Sequence, residues 1–262
     1  MRRGLPIHRG LVRTASAVAV HAAALAVLSC DGATSPSSTS PSYAEHASAH
    51  FVFRYTPLDT STIAQTAAAV ESQVARITAS LGVTGTARVT VTLYADRGSL
   101  QVAVRPAAGT LPSFASGLVT GADQFHILSP SLASAWTYDR AVTAIVHEFA
   151  HTVSLRVNPT IANNPRWLWE SVALYEAGQF VDPRGLPYMV AGQAPTFEQL
   201  SPIENTRLYD LGFVIGEFVV QSWGDAALTA LVRQNGDPAV LGITAAELHG
   251  RWLIFLHDRY GL

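Results

Sequence analysis

Apolar residues recur along the chain in two periods, and the switch from one to the other marks its organisation. Val89, Val91 and Leu93 alternate with Arg88, Thr90 and Thr92, the period-2 pattern of a half-buried strand. Phe51-Val52-Phe53-Arg54-Tyr55 and Gln124-Phe125-His126-Ile127-Leu128 read as further strands, and Gly109 to Gly121 as loop. Helical spacing puts Ile63, Val70, Val74, Ile77 and Leu81 on one face of a single helix ended by Gly82. Beyond residue 140 the helical period takes over. Ala141 to Leu155 contains neither Gly nor Pro and predicts a buried helix ending near Asn158-Pro159. The next helix spans 164–178, with Asn164 as N-cap, Pro165 as first helical residue and Gly178 as terminator. After a Pro/Gly-rich passage to Pro202, expected as a cleft wall, come a helix from Thr206 to Gly224 and a short one after Asp225. A last helix is opened by the capping box of Thr244 and Glu247. Strands first and helices after predict one α+β domain over residues 43–262.

Composition narrows the chemistry. All 17 basic residues are Arg, so every mechanism that needs a lysine amine is excluded: P-loop, Schiff-base and kinase-type. With Arg2, Arg3, Arg9 and Arg13 set aside as part of a leader, 13 Arg face 19 acidic residues, a net charge of −6 that does not suit nucleic acid. Cys30 is the only cysteine, which excludes an internal disulfide and a thiolate-rich metal site. Zinc held by imidazole and carboxylate is what remains.

One stretch has the spacing for it. In His147-Glu148-Phe149-Ala150-His151 the two histidines stand at i and i+4 of a helix, one turn apart, so both imidazoles can reach one ion. Glu148 then lies beside the ion, placed to take a proton from water. Between His151 and Glu170 there is room for the helix to end, turn and return antiparallel, which would bring Glu170 to the histidines as a third ligand.

His147-Glu148-Phe149-Ala150-His151, followed by Trp167-Leu168-Trp169-Glu170-Ser171-Val172-Ala173-Leu174-Tyr175 with eighteen residues between His151 and Glu170, resembles the gluzincin metallopeptidases. The resemblance implies a zincin-like fold, one zinc ion on His147, His151 and Glu170, Glu148 as general base, and a peptide substrate. The chain departs from the family at Ser171, where Gly is usual. Tyr209-Asp210-Leu211-Gly212-Phe213 is similar to a Tyr-x-x-Gly-x segment whose hydroxyl steadies the oxyanion, which makes Tyr209 a second catalytic candidate, with Tyr188 and His126 next in line. By the same resemblance Gly117 to Leu128 matches the edge strand that holds an extended peptide, with His126 as a candidate substrate contact. The amine-anchoring Gly-x-Met-Glu-Asn motif of the aminopeptidases has no counterpart, because no Glu occurs between Glu71 and Glu148. Endopeptidase action is therefore expected. A zinc-containing peptide-binding module without turnover and a non-peptidase zinc hydrolase remain the alternatives.

Residues 1–30 join an Arg-bearing start to an apolar run from Ala15 to Ser29, the form of a signal peptide. Val27-Leu28-Ser29-Cys30 resembles the lipobox of bacterial lipoproteins, which implies lipidation of Cys30 and attachment to an envelope membrane. Residues 31–42 form a Ser/Pro-rich tether. An ordinary signal peptide, giving a secreted or periplasmic protein, is the other reading.

Overall fold

The structure is a computed structural model that describes residues 42–85, 87–132 and 136–262. The leader, Cys30 and nearly all of the tether lie outside these residues. Five strands, β1 (Ala44–Ala47), β2 (Phe51–Tyr55), β3 (Val89–Tyr94), β4 (Gly117–Gly121) and β5 (Gln124–Leu128), form one mixed sheet in the order β1-β2-β3-β5-β4. The three inner strands are parallel, and β1 and β4 are antiparallel edges. The chain is thus α+β, as the order of periods predicts.

The central strand differs from its expectation. β3 is buried at Thr92 and Tyr94 as well as at Val91 and Leu93, because both faces of the sheet are covered. On one face Phe51, Phe53, Val91, Leu93, Phe125 and Ile127 join the main core with Ile145, Phe149 and Val153. On the other, Tyr94 and Leu128 pack with Leu100 and Val104 of α3 (Arg97–Ala108), a helix absent from the sequence reading. The loop expected over Gly109 to Gly121 holds strand β4 in its second half. Two glycines and a Thr obscure that strand's alternation, and pairing with β5 supplies the order.

The helix expected over 63–82 is two, α1 (Ile63–Glu71) and α2 (Val74–Ser80). Ser72 donates its hydroxyl to the Ala69 carbonyl at 2.7 Å, and Gln73 N–H bonds back to Val70, which tightens the chain by one bond and breaks the ladder. The apolar face survives the break, since Val70, Val74, Ile77 and Leu81 are all buried.

The helical half begins with α4 (Tyr138–Val157), capped by the Thr137 hydroxyl and ended at Asn158, and α5 (Arg166–Glu176). The cap of α5 is Pro165 rather than Asn164, so the helix starts one residue later than expected. Asn164 instead turns its amide to the Thr160 carbonyl. The passage to Pro202 carries two single-turn helices, α6 (Pro187–Val190) and α7 (Phe197–Leu200). Then follow α8 (Arg207–Trp223), α9 (Ala226–Arg233) and α10 (Ala245–Tyr260), the last with the predicted capping box complete.

Candidate metal centre

Helices α4 and α5 bring together what the sequence separates by eighteen residues. His147 Nε2 lies 3.3 Å and His151 Nε2 3.7 Å from the same oxygen, Glu170 Oε2. One ligating atom from each of the three residues falls within 4.8 Å of the others, and all three side chains are shielded from solvent. The spacing is informative. Charge-assisted hydrogen bonds close to about 2.7–2.9 Å. Tetrahedral ligands about 2.0–2.1 Å from one ion stand roughly 3.3–3.5 Å apart. Both separations are longer than such direct hydrogen bonds and the three donors face one point, so the set could hold a single metal ion.

Each ligand is held from behind. α5 ends in a Schellman turn in which Gly178, at φ +69°, lets Gly178 N–H bond to Tyr175 and Gln179 N–H to Leu174. That turn aims Gln179 at α4, where His147 Nδ1 donates to its Oε1 at 2.8 Å. The bond places the proton on Nδ1 and leaves the Nε2 lone pair for a ligand. His151 stacks on Trp169, with centroids 3.8 Å apart and planes at 12°. Its Nδ1 is buried without a partner among the described residues. Gln179 and Trp169 were not found by sequence reasoning. The signal for them is position only, one residue past a helix terminator and one before a ligand.

Burial sets the electrostatics. It pushes the Glu148 carboxyl up to about 7 and the His151 imidazole down to about 4. Burial alone would also raise Glu170 and lower His147. Their mutual contact, with His151 adding to it on the Glu170 side, outweighs that, holding Glu170 well below the usual carboxylate range and raising His147. A cation entering the site would compete with this pairing.

The Glu148 carboxylate reaches the edge strand at Gly117. A Cβ at Gly117 would stand 2.7 Å from Glu148 Oε1 and 3.0 Å from the His126 carbonyl oxygen, so the absent side chain is what admits the carboxylate against β4. Across the centre, α8 lies against α5 through small residues. A Cβ at Gly212 would collide with Leu174 and come within 3.3 Å of Ser171 Cα, and one at Gly216 would collide with Tyr175. Ser171, fully buried, thus sits in a tight contact in which the facing helix supplies the glycine. One turn before Gly212 on α8 stands Tyr209, within range of the charges of Glu170 and Glu148. Burial, and next the charge of Glu170, raise its phenol above the ordinary range, with Glu148 contributing too.

The remaining candidates lie elsewhere. His126 is on β5 between Phe125 and Ile127, whose side chains enter the core on the α4 face, so its own ring turns to the other face. There it shares a 2.8 Å hydrogen bond with the Tyr94 hydroxyl. Tyr188 donates to Asp210 Oδ2 at 3.3 Å beneath the Arg207 guanidinium. The structure brings His147, His151 and Glu170 into one cluster, sets Glu148 between that helix and Gly117, and gives His126 and Tyr188 hydrogen-bond partners of their own. Cys30 is not among the described residues. Comparison of the chain with protein-family models and with curated proteins gave no match.

Proposed function

We propose that the protein is a zinc-dependent peptidase of the gluzincin type, with a zincin-like fold and endopeptidase action. The observation that carries the reading is the buried set of His147, His151 and Glu170 with Glu148 beside it, pressed against an edge strand. A zinc ion on those three residues would supply Lewis acidity toward a carbonyl and lower the pKa of water to about 7. Glu148, raised to a similar value, is matched to accept the proton of the attacking water near neutral pH and return it to the leaving amine. Tyr209 donates a hydrogen bond to the oxygen on which charge develops. β4 ends the sheet, so its outer backbone groups can receive an extended peptide beside Glu148. The missing amine anchor favours cleavage within a chain over removal of its first residue.

The test is metal analysis joined to a peptide-library digest. Wild type should hold about one zinc per chain and cleave, while Glu148→Gln keeps zinc and loses on the order of 10²-fold or more in turnover. Equal turnover in the two would sink the mechanism, and zinc without cleavage in wild type would favour the peptide-binding module.

The leader supports export to a bacterial envelope and lipid anchoring at Cys30. No helix among the described residues is long and apolar enough to cross a membrane. On this reading the protein fractionates with membranes and Cys30→Ala releases it. An unmodified mature N-terminus in mass spectrometry would leave a plain signal peptide.

A further inference from the structure

Arg166, the first residue of α5, is only 3% exposed and stands one turn ahead of Glu170. Its Nη1 donates to three backbone carbonyls, Pro202 at 2.9 Å and Leu200 and Asn205 at 3.4 Å. Those carbonyls belong to the stretch that leads into α8, whose third residue is Tyr209. Nε and Nη2 are buried without a partner, and no carboxylate among the described residues pairs with the guanidinium. A buried cation so poorly matched is costly to keep. What it does face is Tyr209, with its guanidinium carbon 5.5 Å from the ring centroid.

Phe114 reaches the same ring from the sheet side. It is 41% exposed, and its ring lies 5.6 Å from that of Tyr209. The loop that carries it is pinned by α3. Arg97 donates to the Ala115 carbonyl at 2.6 Å and to that of Pro112, and Gln101 bonds the Gly109 carbonyl and the Leu111 N–H. Arg166 and Phe114 thus approach the same phenol ring from different elements.

We infer that Arg166 and Phe114 are positioning residues, which hold the Tyr209 ring so that its hydroxyl is set toward the metal centre before substrate arrives. The inference rests on the reading of Tyr209 as an oxyanion donor. On this reading Arg166 acts through the Tyr209 ring that it faces. A donor fixed in advance needs no reorganisation as charge develops, which is where such a contact gains its effect.

The experiment has two arms. In the first, Arg166→Met and Phe114→Leu are measured alone and combined with Tyr209→Phe. Each should lower kcat by about tenfold with zinc content and KM little changed, and add nothing further in the Tyr209→Phe background. Arg166→Lys, which restores charge without the planar fork, should recover part of the loss. In the second arm, the metal-free protein carries ring-13C tyrosine, and the Tyr209 signal is identified by its loss in Tyr209→Phe. Its relaxation should report a fixed ring in wild type and a mobile one in Phe114→Leu, a change at an exposed site that leaves the fold intact. A ring equally ordered in all variants overturns the inference, as does an Arg166→Met loss that persists undiminished in the double variant. If wild type cleaves no peptide, the peptidase reading fails while the relaxation arm still decides whether Tyr209 is held. If Tyr209→Phe leaves kcat unchanged, the donor role falls, and with it the catalytic purpose of the clamp.

Discussion

The two sides of the candidate metal centre are built by different rules. On the α4–α5 side, three ligands come from two helices whose own periods fix which residues share a face. On the β4–α8 side, Gly117 meets Glu148 and Tyr209 meets Arg166 of α5 only because a strand and a helix from distant parts of the chain lie close by. The first side is local geometry repeated twice, and the second depends on what the glycines permit. Gly117 admits the Glu148 carboxylate, and Gly212 and Gly216 let α8 approach α5 closely enough to deliver Tyr209. Binding and turnover should therefore separate along this line, with the ligand side controlling metal and the far side controlling rate.

The largest expected effect is on the ligand side. Glu170→Ala removes the oxygen that both histidines face, leaving two imidazoles and no carboxylate, and zinc should be lost from the purified protein after dialysis. Full zinc by elemental analysis would remove Glu170 from the ligand set and erase the contrast between the two sides. The second effect is on the far side. Tyr209→Phe keeps the ring and removes one donor, so kcat should fall roughly 10²–10³-fold while zinc content and Tm stay near wild type. A rate loss that only follows a drop in Tm would make Tyr209 a packing residue.

The smallest effect concerns the group between the two sides. In the metal-free protein the Glu148 pKa is raised from 4.5 to about 7 by burial, so the unfolded chain ionises it first. Stability is then lost as pH rises from about 4.5 to 7 and changes no further above that. Glu148→Gln, which cannot ionise, should escape the loss. It should exceed wild type by up to about 3 kcal/mol in urea unfolding at pH 8 and match it at pH 4. An equal difference at both pH values would mean that Glu148 is not desolvated in the folded chain.

Several features of the site and fold were legible because they are short-range. The i, i+4 spacing of His147 and His151, the stop at Asn158, the terminator Gly178 and the box of Thr244 and Glu247 each depend on a few neighbouring residues, and the structure keeps them. Glu170 could be expected because a turn of fitting length precedes it. The misplaced features have other causes. Ser72 breaks a helix through a hydroxyl that period alone does not reveal. β4 looks like loop because its glycines are selected by Glu148 and by the strand's bends rather than by strand propensity.

The sequence by itself determined the ligand types, their phase on two helices, the excluded lysine and thiol chemistries, and the α+β order, since composition and periodicity act within a few turns of chain. Only the tertiary structure decided that His126 faces away from the centre, because a strand's side chains alternate and which face meets α4 is set by sheet packing. It likewise decided that Gln179 steadies His147, that Trp169 covers His151, and that Arg166 and Phe114 converge on Tyr209. These are contacts between groups distant in sequence or turned by a neighbouring element, and no local period encodes the direction from which a distant segment will arrive.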